Sequence, residues 1–140
     1  MSKVSEDAAE LALMELFEAF GADVSGITSM MPIAMDGRLY LKAGKAVYVL
    51  AKPVKLLDDS TLTTVSLREP NAADYVDYSK GMSLKVRDGE TTIDPTMMTR
   101  RTFRMVEKLG DEKWQGVADR MSIRDVRALT EIGDALGFFE

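Results

Sequence analysis

Residues 52–75 read KPVKLLDDSTLTTVSLREPNAADY, and this stretch decides the architecture. Val54–Leu57 and Leu62–Leu67 are two short β-prone runs. In the second, Leu62, Thr64 and Ser66 alternate with Thr63, Val65 and Leu67, the two-residue period of a half-buried strand. Asp58-Asp59-Ser60 between them is turn chemistry, because short polar side chains hydrogen-bond their own backbone there. Pro70 stops the second strand and suits the first position of a helix, where its missing N–H is not needed.

Upstream, Ser5 is a helix N-cap with acids in the turn that follows. Ala9, Leu13, Leu16, Phe17 and Phe20 recur at three- and four-residue spacing and form one apolar stripe, which Gly21 ends. That stripe predicts a face buried in the chain's own core or against a second copy, so a homo-oligomer stays open. Residues 22–44 are broken by Gly26, Pro32, Gly37 and Gly44, with a short strand expected at Arg38–Lys42. Val47–Ala51 reads as a further strand.

Downstream, a short helix is expected over Asn71–Lys80, ended by Gly81. Asp88-Gly89, between Met82–Val86 and Glu90–Ile93, is a strong hairpin signal. Asp94-Pro95 opens a helix expected over Thr96–Leu109 with Met98, Thr102, Met105, Val106 and Leu109 on one face. Glu112–Met121 aligns Trp114, Val117, Ala118 and Met121. Ser122-Ile123-Arg124-Asp125 resembles a capping box with Asp in place of Glu, and the last helix turns Val126, Leu129, Ile132, Leu136 and Phe139 inward. The expected class is α+β: a small antiparallel hairpin or three-stranded sheet, a helical C-terminal half and an N-terminal amphipathic helix.

The chain of 140 residues holds no histidine and no cysteine. Disulfides, thiolate chemistry and soft metal sites are therefore excluded, as is the usual general base near neutral pH. An enzyme would have to work with carboxylates, Lys, Tyr, Ser or a hard metal ion. Of these the paired carboxylates Asp58-Asp59 and Asp111-Glu112 come nearest, and adjacent acids of this kind usually serve turns and N-caps. No phosphate-binding or calcium-binding loop motif is present. The sequence predicts neither catalytic residues, nor a metal, nor a cofactor. No apolar run approaches the roughly 20 residues a membrane span needs, and the N-terminus does not read as a secretory signal, so a cytoplasmic address is expected. Residues 1–23 carry the whole net charge of −5, while the remainder is neutral, which disfavours a dedicated nucleic-acid binder.

Three features are candidates for contact with a partner. Arg100, Arg104 and Lys108 recur every four residues, with Arg101 beside them, opposite the apolar face of their helix. Ten methionines are present, and Met30, Met31, Met35, Met97 and Met98 lie in weakly patterned regions or near helix starts, where thioethers suit an adaptable face. The chain closes on Phe138 and Phe139; an inward Phe139 would turn Phe138 outward as a contact aromatic, and capping of the core by both rings fits the pattern equally well.

Lys52-Pro53-Val54, the turn, and Leu67-Arg68-Glu69-Pro70 with Asp74 resemble the opening of the phage tail assembly chaperones of Mu-like and P2-like phages and prophages. The resemblance spans residues 47–140 in order of elements. It divides the chain into an N-terminal helix with an irregular extension, 1–46, and a chaperone-like α+β domain, 47–140. It implies a non-enzymatic protein of the host cytoplasm, absent from the mature virion, whose partners are the tape measure protein and the tail tube protein. No nucleic acid or membrane partner is implied. A structural virion component, such as a tail completion or connector protein, and a small phage-encoded adaptor or inhibitor of a host protein share the same composition and remain alternatives.

Overall fold

The computed structural model describes residues 3–73, 84–87, 90–93, 95–106 and 114–138. Ser5 starts the first helix, α1 (Glu6–Phe20): its hydroxyl oxygen accepts from Ala8 N–H at 3.2 Å, and Glu6 and Asp7 sit at the positive end of the helix dipole. The helix buries Ala9, Leu13, Leu16, Phe17 and Phe20 in the chain's own core. Gly21 ends it with φ of 62°, and Ala22 N–H reaches back to Phe17 O at 2.9 Å.

A 3₁₀ turn (Val24–Gly26) leads into α2 (Ile27–Met35), where the sequence predicts irregular structure. Pro32 sits inside this helix without breaking it. Pro32 and Thr28, whose carbonyl loses its usual donor, are both exposed, so water can serve that carbonyl. Met30 and Ala34 turn inward.

β1 (Leu39–Lys42), β2 (Lys45–Lys55) and β3 (Thr61–Leu67) form an antiparallel sheet in the order β1-β2-β3. β2 runs continuously through the two stretches expected to be separate strands, and it spans residues 46 and 47, where the chain was divided in two by resemblance. It pairs Val49 with Thr64 and then Val54 with Leu62, so Leu50–Pro53 bulge out opposite Thr63 alone. Pro53 is accommodated because the ladder asks no N–H of it there. The turn that follows uses Asp58 as expected: its Oδ1 accepts from both the N–H and the hydroxyl of Ser60.

The first helical residue after β3 is Ala72. Pro70 therefore lies two residues outside the helix it was expected to open, and Asn71, a residue type favoured at N-caps, takes the position before it. Residues 74–80 of the stretch expected to form that helix lie outside the described residues. β4 (Leu84–Arg87) and β5 (Glu90–Ile93) pair antiparallel in the register expected of a hairpin.

α3 (Pro95–Arg104) is shorter than its sequence pattern suggests. The backbone leaves the helix at Met105, where its carbonyl accepts from Arg68 N–H at 2.9 Å and Val106 bridges to Leu67. The edge of β3 thus captures the chain, and Phe103, off the expected apolar face, joins Thr102 and Met105 in the interior. α4 (Trp114–Arg120) buries Val117, and Arg120 donates to Lys55 O at 2.7 Å, tying α4 to the end of β2. α5 (Ile123–Ala135) lies against β2 and α3 and buries Asp125, Ala128, Leu129, Ile132 and Gly133. One core unites α1, α2, the sheet and the C-terminal helices.

Candidate functional site

Asp125 is the one fully buried carboxylate among the described residues, at 0% exposure. Ser122 caps α5 by accepting from Asp125 N–H at 3.2 Å and donates its own hydroxyl to Asp125 Oδ2 at 2.8 Å. The carboxylate thus meets the hydroxyl of Ser122, where a capping box would use the Ser122 backbone N–H, and it also reaches across to β2. It accepts from Tyr48 Oη–H at 2.7 Å, from Ala51 N–H at 2.8 Å and from Lys52 N–H at 3.1 Å. Ala51 and Lys52 lie in the bulge, where β3 offers no partner. Burial pushes the Asp125 carboxyl up, but the bonds from Tyr48, Ala51, Lys52 and Ser122 outweigh it and hold the group below its ordinary value. Burial, reinforced by the bond to Asp125, pushes the Tyr48 phenol well above its usual range. A carboxylate engaged by four donors is poorly placed to act as a base. Its work is structural.

The surface offers a more open feature. An open cleft of about 460 Å³ lies between the segment before α1 and one side of α2, lined by Lys3, Val4, Thr28, Met31, Pro32, Met35 and Asp36. Val4 N–H donates to Met35 O at 2.9 Å, which ties the N-terminal segment to the end of α2 and forms one wall. Met31 and Met35 are four residues apart on a helix, so their thioethers occupy one face. Lys3 and Asp36 place one charge of each sign at the cleft. It suits an apolar side chain or helix edge better than a charged small molecule.

Arg100 and Arg104 are exposed one turn apart on α3, and Arg68 donates to Arg104 O at 3.4 Å. Lys108 and Phe139 lie outside the described residues, as does Asp111-Glu112. Phe138 is not the outward aromatic expected: it is 1% exposed, with its ring 6.2 Å from that of Phe20. The helix stops at Ala135, Gly137 takes φ of 82°, and Phe138 N–H bonds back to Gly133 O at 2.9 Å. That left-handed turn folds Phe138 over the core, where a continued helix would have carried it to the polar side. The structure therefore joins Phe20 and Phe138 in the interior, and they present no contact surface. Leu13, Leu16 and Phe17 are buried beside them.

Sequence reasoning missed Leu11 and Met14, which stand outward on α1 at 60% and 49% exposure. Their signal was available: they fall off the buried stripe although both are large and apolar. No group of three or more acidic side chains that could hold a metal ion occurs among the described residues, and no described helix is long and apolar enough to cross a membrane. Comparison with protein-family models, with curated proteins and with solved structures found no match.

Proposed function

We propose that this chain is a phage tail assembly chaperone: a non-catalytic protein of the host cytoplasm that binds the tape measure protein, holds it soluble and assists tail tube assembly. The observation that carries this reading is the methionine-lined cleft beside α2, where Met31, Met35 and Val4 line an open apolar surface. A long helical protein that has not yet been enclosed by its tube exposes apolar stripes, and adaptable thioethers can cover them without demanding one fixed shape. Arg100 and Arg104 add cationic contacts that would steer an acidic stretch of such a helix. The segments that carry the family resemblance support the scaffold: Lys52-Pro53-Val54 forms the β2 bulge and its exit, and Arg68 fastens β3 to Met105.

The test is co-expression with a tape measure protein encoded beside this gene, scoring soluble complex at low and high salt. Rescue of solubility, with this chain absent from purified particles, supports the proposal. No rescue, together with this chain in purified virions, favours a tail completion or connector protein.

A further inference from the structure

We infer that the outward face of α1 docks a basic amphipathic helix. At 100° per residue, Leu11 points directly away from the middle of the buried stripe, and Met14 lies one turn further on the same side. Asp7, Leu11, Met14 and Glu18 follow four, three and four residues apart, the spacing of a seam that faces another helix. Its two middle positions are exposed and apolar, and both ends are acidic. Glu10 and Glu15 flank it, so each apolar side chain has a carboxylate one turn before and one turn after. α1 contains no basic residue, and among the described residues none of these four carboxylates forms an ion pair. A solvated helix face needs no Leu and Met at its centre. A docking face does, because apolar area anchors while the surrounding charge selects.

The charge pattern also selects the occupant. In a symmetric pairing of two copies of α1, the antiparallel seam would set Asp7 against Glu18, acid against acid. The exposed arginines of α3 offer the right charge, but their described apolar neighbours Phe103 and Met105 are buried, so neither of these two can cover Leu11 and Met14. The complementary seam is Lys or Arg, then two apolar residues, then Lys or Arg, with the same four-three-four spacing. It belongs to a different helical protein. This surface is separate from the methionine-lined cleft and shares with the proposed function only the helical nature of the partner.

The probe is a synthetic alanine-rich peptide carrying Lys-x-x-x-Leu-x-x-Leu-x-x-x-Lys, with a scrambled peptide of identical composition as control. It contains no phage sequence, so it can bind even if the tape measure does not, and the two proposals fail separately. Backbone amide shifts on titration should map to α1. Leu11→Ser with Met14→Ser should weaken binding at least about tenfold, a difference of about 1.4 kcal/mol. Glu10→Gln with Glu15→Gln should weaken it at about 0.1 M salt and much less at about 1 M, where charges are screened. All four positions are exposed, so these variants should melt as the wild type does. Equal binding of the scrambled peptide, or shifts confined to other elements, would overturn the inference. So would a dimer in solution that the Leu11/Met14 variant abolishes, since a second copy would then cover the face.

Discussion

The hydroxyl of Tyr48 donates to Oδ1 of Asp125 at 2.7 Å, joining the middle strand to the first turn of the last helix across 77 residues of chain. The same carboxylate supplies the acceptors that the β2 bulge lacks, so sheet irregularity and helix position are one feature. Asp125→Ala should remove the acceptor from three β2 donors at once. We expect a loss of about 3 kcal/mol, the scale for breaking a buried charged network by deleting one side. Urea denaturation of the variant checks this, and a loss under about 1 kcal/mol would mean that water replaces the carboxylate.

The acid limb follows from the same group. Its folded-state pKa is depressed by the bonds it accepts, so its contribution is complete above the unfolded value of about 3.9 and is lost as pH falls through the folded one. Asp125→Asn should be less stable than the wild type near neutrality, and the gap should narrow steadily between about pH 5 and pH 2. A gap that stays constant over that range would show that the carboxylate is not charged in the folded protein.

The alkaline limb has the opposite sign. Tyr48 ionises in the folded protein only well above its usual value, so its contribution is complete below about pH 10 and is lost as pH rises further. Tyr48→Phe keeps the ring and loses the bond, which should cost about 1.5 kcal/mol near neutrality and progressively less above about pH 10. In the wild type, at least one of the four tyrosines should resist ionisation until the protein unfolds, a behaviour read directly from phenolate absorbance.

Local signals made much of this architecture legible. Ser5 and Gly21 bound α1 as their chemistry requires, and Asp58 and Ser60 form the expected turn between β2 and β3. What escaped was decided by tertiary partners. The Ser122–Asp125 signature identifies a cap, but where the carboxylate goes depends on a bulge more than 70 residues away in sequence. α2 was hidden because Gly26 and Pro32 read as breakers, although the helix tolerates Pro32 on its exposed side. α3 was read too long because nothing local shows that Leu67 and Arg68 will bind Val106 and Met105. Among the candidate contact residues, Arg100 and Arg104 follow from helical spacing, whereas Phe138 depends on a left-handed Gly137.

Gly133 marks the crossing of α5 and α3. A Cβ there would lie 2.6 Å from Thr102 Oγ1 and 3.1 Å from the Phe138 ring, in space already filled. Gly133→Ala should therefore destabilise by about 2 kcal/mol through overpacking, although alanine is the better helix former by about 1 kcal/mol. Adding Thr102→Ala removes the nearest atom, Thr102 Oγ1, so the double variant should be more stable than the two single losses predict. Strict additivity would place the strain elsewhere.

Ala43 is held at φ of 53° beside Gly44 at 76°, both central residues of the turn between Lys42 and Lys45. Two positive φ values are the mark of the hairpin turn that favours Asn-Gly, and alanine is poorly suited to the first position because its Cβ crowds the following carbonyl. Ala43→Asn should stabilise by about 0.5–1 kcal/mol and raise the melting temperature by a few degrees. Ala43 belongs neither to the cleft beside α2 nor to α1 or α3, so binding through those surfaces should be unaffected.

Arg100 and Arg104 allow stability and function to be separated. Both are exposed on α3, and charge reversal at such positions alters folding by about 0.5 kcal/mol or less. Arg100→Glu with Arg104→Glu should thus melt close to the wild type. If the row steers the tape measure protein, the variant should bind more slowly, and salt should slow the wild type towards it, because the screening length falls from about 10 Å at 0.1 M to about 3 Å at 1 M. The measurement is the association rate at both salt concentrations. Met31→Ser with Met35→Ser should instead speed dissociation at either salt concentration, since apolar contact is lost while long-range attraction is kept. If both variants bind with wild-type rates, neither α3 nor the cleft beside α2 is the contact surface, and the row is a solvated helix face.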